Sequence, residues 1–138
     1  MEIKSIKKNF LKYCIKNKFE KNSQQIKTLE LLNKFYLKNY SSKSIISRIF
    51  KKNKKKLCFY LYGDVGVGKT MILNFFFDNL NIKKKRMHFN EFMISYHDFA
   101  HKNKKNINSL NYFVKELKKK YKLLYFDEFQ VTNIVDAM

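Results

Sequence analysis

The sequence predicts an α/β fold, a parallel sheet with helices in its crossovers, preceded by a helical extension. Three observations predict it. Apolar residues in the first forty positions recur at helical spacing. From Leu57 onward, short apolar runs alternate with helical stretches, the order that a parallel sheet needs. The first of those runs ends in a glycine-rich turn that opens straight into a helical pattern.

The elements follow in order. Ile3, Ile6, Phe10, Tyr13 and Cys14 lie at helical spacing and predict an amphipathic helix over residues 3–18. Asn22 followed by Gln25 has the pattern of a helix N-cap with its partner three residues on. Ile26, Leu29, Leu32, Phe35 and Tyr36 carry that helix to about Tyr40. "SSKS" breaks the period, "IISRIF" reads as a short helical turn, and "KKNKKK" (51–56) as a solvated linker. "LCFYLY" (57–62) is apolar throughout and bounded by Gly63, which predicts a buried strand. Residues 69–80 read as a buried helix and "RMHFN" (86–90) as a second strand. Residues 91–102 read as a helix, "KNKKNIN" as a loop, and 110–121 as a helix with Leu110, Phe113, Val114 and Leu117 on one side. Leu123–Phe126 is the third strand, and "TNIVDAM" opens another helix. The expected organisation is a helical extension with a basic linker over 1–56 and a sheet domain over 57–138.

Composition bounds the function classes. A chain of 138 residues with 45% hydrophobic residues has enough apolar material for one packed domain. Its net charge of +19 is concentrated in residues 1–56, where 17 basic face 3 acidic residues. That excess favours weak polyanion binding at low salt, but it has no aromatic–basic repeat, so specific nucleic-acid recognition is not expected. Cys14 and Cys58 lie in apolar patterns without ligand spacing and read as buried, reduced thiols. No apolar run approaches the roughly 18 residues that span a bilayer. The charged N-terminus lacks the apolar core of a signal peptide, and its Lys-rich, Glu2-bearing start is unlike an Arg- and Ser-rich transit peptide. His88, His97 and His101 lack the His-Glu-x-x-His pattern, so zinc is not expected. The aromatics, "NFFF" included, read as core packing.

Gly63-Asp64-Val65-Gly66-Val67-Gly68-Lys69-Thr70 fits G-x-x-x-x-G-K-[ST]. The glycines permit backbone conformations that aim successive N–H groups into one concavity at a helix N-terminus, where the helix dipole also favours an anion. Lys69 can reach β- and γ-phosphates, and the Thr70 hydroxyl can ligate Mg²⁺. Met71 completes the stretch expected to flank a nucleotide. Asp127 and Glu128 follow the apolar run "LLYF", 58 positions after Lys69. Carboxylates at the C-terminal end of a parallel strand line the crevice where such sheets bind ligands. Asp127 is therefore the candidate to hold Mg²⁺, and Glu128 the candidate to orient the attacking water. Lys69 and Glu128 are the expected catalytic residues, and ATP with Mg²⁺ the expected ligand.

"LCFYLYGDVGVGKTMILNFFFDNL", "MHFNEFMISYHD" and "LLYFDEFQVTNIVDAM" together resemble the ZapE-type AAA+ ATPases of bacterial cell division and their mitochondrial relatives. The most specific segment is Asp127-Glu128-Phe129-Gln130-Val131-Thr132 with Ile134, Asp136, Ala137 and Met138. Gln25 falls where that family tends to have a glutamine. Asp64 and Val67 stand where the family has glycine and arginine, Asn90 where a second histidine is usual, and Asn133 where an aspartate is. Asp64 adds negative charge beside a phosphate site and weakens it unless it points outward.

The resemblance implies three of the five strands of a P-loop AAA+ sheet, in which a fourth strand lies between the first and third. It implies a cytoplasmic, Mg-dependent ATPase that acts on protein partners, a division-ring protein among them, as a homo-oligomer, and leaves room for peripheral membrane association. The chain stops before the fourth strand, the sensor residues, the lid and the arginine that completes a neighbour's site. It is therefore expected to be a C-terminally truncated piece that hydrolyses ATP weakly or not at all alone. Two alternatives stay open: a DNA-associated ATPase resembling helicase loaders, and a nucleotide-binding piece without turnover.

Overall fold

The computed structural model describes residues 3–40, 57–103 and 108–129. The linker 51–56, the short turn "IISRIF" and the C-terminal "TNIVDAM" fall outside the described residues, as do Gln130, Asn133 and Asp136. The chain divides into two compact units, Met1–Asn79 and Leu80–Met138.

Among the described residues the first unit holds three helices: α1 (Ile3–Lys16), α2 (Ser23–Tyr40) and α3 (Lys69–Asp78). Ile6, Phe10 and Cys14 are buried at a spacing of four, one stripe of α1. They meet Leu29 and Leu32 of α2 and Ile72, Phe75 and Phe76 of α3 in the core. Phe10 and Tyr13 each pack on Phe75 with ring centroids 5.1 Å apart. Lys18, in the left-handed region (φ 56°), ends α1. The Phe19 N–H then returns to the Cys14 carbonyl at 2.9 Å, the closure that glycine usually provides. Asn22 caps α2 by accepting the Gln24 N–H at 2.8 Å. Asn33, in the middle of α2, is fully buried, and neither its Oδ1 nor its Nδ2 has a partner among the described residues.

Residues 57–62 differ from expectation, because the described structure contains no strand there. Half-buried Phe59 and Leu61 alternate with exposed Cys58, Tyr60 and Tyr62, the two-residue period of an extended chain. Phe59 rests on Phe35, while Tyr60 and Tyr62 stack on the outside. A strand is defined by a ladder of hydrogen bonds to a neighbour, and among the described residues no ladder involves this segment. Cys58 is accordingly exposed rather than buried, whereas Cys14 is buried as expected.

The second unit runs β1 (Lys84–His88), α4 (Phe89–Lys102), α5 (Ser109–Lys120) and β2 (Leu123–Asp127). The two strands pair in parallel, with Lys84 opposite Leu123 and His88 opposite Asp127. Among the described residues two strands are thus formed where three were expected. These are the second and third candidates, and they are direct neighbours. β1 begins two residues before "RMHFN" because the ladder, not hydropathy, sets its start. Only Met87 of β1 is buried. An aromatic core fills the space under the sheet: Phe92 packs on Phe126 (5.0 Å) and Phe113 (5.5 Å), and Phe99 on Phe113 (5.4 Å). These rings are core, as the sequence suggests. Among the described residues no helix is long and apolar enough to cross a membrane.

Candidate functional site

The glycine loop lies in the first unit and leads into α3. Gly63, Gly66 and Gly68 all have positive φ, at 146°, 83° and 82°, conformations that side chains with a Cβ resist. Gly68 is the N-cap residue of α3, and its carbonyl accepts the first helical bond from the Ile72 N–H at 3.1 Å. The free N–H groups of the first turn of α3 therefore open at the end of a loop bent by three glycines, the arrangement that receives an anion. The Lys69 ammonium folds back over this loop. Its Nζ donates to the Gly63 carbonyl at 2.8 Å and to the Asp64 carbonyl at 2.6 Å. The cation is held by neutral dipoles, partners that it can exchange for a phosphate oxygen.

Asp64, Val65, Val67 and Thr70 are exposed, Val65 almost completely at 98%, and Met71 is half-buried at the start of α3. Gln25 of α2 touches the loop from outside. Its Nε2 donates to the Val67 carbonyl at 3.2 Å. A Cβ added to Gly68 would stand 2.7 Å from that nitrogen. The sequence pairs Gln25 with the Asn22 cap of α2 as its N3 partner. In the structure Asn22 is the cap, as expected, and Gln25 turns toward the loop.

The carboxylates lie in the second unit, at the C-terminal end of β2, as the strand-end argument requires. Asp127 forms an ion pair and hydrogen bond with Arg86 of β1 and lies 3.4 Å from the Tyr125 hydroxyl, which donates to its Oδ1. The Arg86 guanidinium also lies 5.2 Å from the centroid of the Tyr125 ring. Arg86, His88, Tyr125 and Asp127 alternate with core-facing Met87 and Phe126 along the two paired strands. They therefore share the face opposite the aromatic core. Tyr125 is pushed up to about 12, first by burial and then by the Asp127 charge and its hydrogen bond, with Arg86 opposing.

Glu128 leaves the strand in the left-handed region (φ 50°) and is 76% exposed. Such a conformation costs a non-glycine residue about 1 kcal/mol or more and gathers at functional positions. Its Oε2 stands 4.0 Å from His88 Nδ1. His88 itself starts α4, and its N–H is accepted by Glu91 Oε2 at 3.3 Å. No group of three or more His, Cys, Asp or Glu side chains gathers among the described residues. The Thr70 hydroxyl in the first unit and the Asp127 carboxylate in the second are each hard oxygen donors of the kind that Mg²⁺ takes alongside water and phosphate.

Sequence reasoning missed Arg86 and the contact of Gln25. A signal for Arg86 was available: of 30 basic residues only Arg48 and Arg86 are arginine. In a chain that otherwise uses lysine, an arginine marks a place where a planar fork is needed.

A family model for AFG1-like ATPases matches residues 8–138. The chain is 46% identical over 50 residues to lactation elevated protein 1 homolog B of Danio rerio, covering 36% of this chain and 10% of that protein. It is 47% identical over 45 residues to an uncharacterised protein of Schizosaccharomyces pombe, covering 30% of this chain and 10% of that protein. The chain thus spans about a tenth of the length of these curated relatives. No solved structure matches it.

Proposed function

We propose, from the premise that the chain belongs to the AFG1-like ATPase family, that residues 63–71 form its ATP-binding loop. The observation that supports this best is the loop itself. Three glycines of positive φ lead into the N-terminus of α3, with the Lys69 ammonium parked on the Gly63 and Asp64 carbonyls. Phosphate oxygens entering the loop would take the free N–H groups of the first helical turn, and Lys69 would move from the two carbonyls to the β- and γ-phosphates.

The sequence motif assigns Thr70 and Asp127 to Mg²⁺, which when bound neutralises phosphate charge. Arg86 would fix the Asp127 carboxylate in a single orientation, since a guanidinium fork holds a carboxylate plane. Glu128, exposed and turned out of the strand, is the group assigned to orient the attacking water and accept its proton. Hydrolysis by the whole protein, action on protein partners, homo-oligomer formation and a cytoplasmic location belong to the same proposal and rest on the resemblance of the motifs.

The test is calorimetric titration of the chain with Mg·ATP, beside Lys69→Ala. The expected result is saturable binding that Lys69→Ala weakens at least tenfold, consistent with the loss of a charge-assisted contact. Equal binding by both chains refutes the assignment of the loop.

A further inference from the structure

We propose that Gln25 is a positioning residue for the nucleotide: by holding the Val67 carbonyl it sets the direction of the Gly68 N–H in the phosphate loop. The inference rests on the reading of residues 63–71 as the ATP loop and adds to it a residue 42 positions away in sequence.

The Val67 carbonyl and the Gly68 N–H belong to one planar trans unit and point in opposite directions. Gln25 Nε2 donates to that carbonyl at 3.2 Å, so the Gly68 N–H points away from Gln25. Without the contact, nothing on that side opposes rotation of the peptide, because glycine on its C-terminal side is permissive in φ. A glycine loop gains flexibility and loses aim together, and an external hydrogen bond restores the aim. The Gly68 carbonyl is already bound into α3 through Ile72, so the Gln25 contact and the helix together fix the peptides on both sides of Gly68.

Two further observations agree. The Gln25 amide occupies the space that a side chain at position 68 would fill, with Nε2 2.7 Å and Cδ 3.6 Å from the position of a Cβ there. The contact is therefore tight as well as polar. Gln25 Oε1 is buried and has no hydrogen-bond partner among the described residues. A buried unpaired acceptor is destabilising, so the amide is not placed to maximise stability. An N3 glutamine could instead have reached back to its own helix cap, and here it does not.

The experiment measures affinity for ATP and for inorganic tripolyphosphate on the 138-residue chain, with thermal midpoints, for Gln25→Ala, Gln25→Glu and Lys69→Ala. Gln25→Ala should weaken both ligands by the same factor, about fivefold, the size of one neutral hydrogen bond. Its midpoint should stay within about 2 °C of the parent, since the lost bond is offset by removal of the unpaired oxygen. Gln25→Glu keeps the shape but cannot donate when ionised, and it should weaken both ligands at least as much. Unchanged affinity in both Gln25 variants overturns the proposal. So does a loss confined to ATP, which would make Gln25 a reader of the base, or a loss that scales with a falling midpoint. Lys69→Ala separates the two readings. If it abolishes binding while Gln25 variants do nothing, the loop assignment stands and this proposal fails; if it changes nothing, both fail.

Discussion

Gly68→Ala tests the geometry of the loop most directly, because two costs can be read from one position. The residue sits at φ 82°, and holding an alanine in the left-handed region costs about 1–2 kcal/mol. The new Cβ would lie 2.7 Å from Gln25 Nε2 and 3.5 Å from Met71 Cε. The flexible amide escapes the overlap by swinging aside, and in doing so gives up its bond to the Val67 carbonyl, worth about 1 kcal/mol. The total is about 2–3 kcal/mol, or about 8–12 °C in thermal midpoint for a chain of this size. Gly66→Ala is the internal control: its φ is 83°, but a Cβ there meets nothing within 4 Å, so only the first cost applies. In the double variant Gly68→Ala with Gln25→Ala the overlap is gone, and the two changes should couple favourably by about 1 kcal/mol. Thermal denaturation followed by circular dichroism measures the parent, the single variants Gly66→Ala, Gly68→Ala and Gln25→Ala, and the double variant. Equal losses for Gly66→Ala and Gly68→Ala, or strict additivity in the double variant, refute the account of Gln25 pressed against the loop.

Two more outcomes follow from features away from the loop. Tyr125 titrates higher in the folded chain, at about 12 against 10 for the free side chain. The unfolded chain loses that proton first, so the contribution of Tyr125 is intact below pH 10 and is lost as pH rises from 10 to 12; Tyr125→Phe should flatten this alkaline decline in urea midpoints, and an unchanged slope would count against the burial of the phenol beside Asp127. Asn33→Leu should raise the stability of the chain by about 1–2 kcal/mol, read as a higher urea midpoint at constant slope, because it replaces a buried amide with two unpaired atoms by an apolar side chain; a loss of stability would mean that the amide has partners outside the described residues.

The helices were legible in the sequence because their evidence is local. Buried Ile6, Phe10 and Cys14 mark α1, and "ILNFFF" marks α3. The glycine spacing predicted a bent loop at a helix N-terminus, and the three positive φ values follow it. The sheet was less legible because pairing is not local. β1 carries three charged residues, Lys84, Lys85 and Arg86, and becomes a strand through its neighbour β2. Residues 57–62 have the composition of a strand, and among the described residues no sheet ladder includes them. Of the candidate site, Asp127 and Glu128 were singled out by their place after an apolar run, and the structure puts them at the end of β2. Their neighbours Arg86 and His88 lie about forty positions earlier and become visible only when Arg86 and Tyr125 are placed in register. Gln25 shows the same limit in another form. Its spacing from Asn22 matches a capping pattern, and the loop 42 residues away wins the side chain instead.

The extended segment at residues 57–62 bears on how the isolated chain is expected to behave at high concentration. It is six uncharged residues of high β-propensity with no proline, and Leu57 and Tyr62 are 90% and 80% exposed. That is the profile of a template on which a second extended chain adds, and then a third. The net charge of +19 is what keeps two copies apart, through repulsion that reaches about 10 Å in 0.1 M salt and about 3 Å in 1 M. Colloidal stability of the chain is thus set by ionic strength, and dilute buffer is the condition in which it stays dispersed.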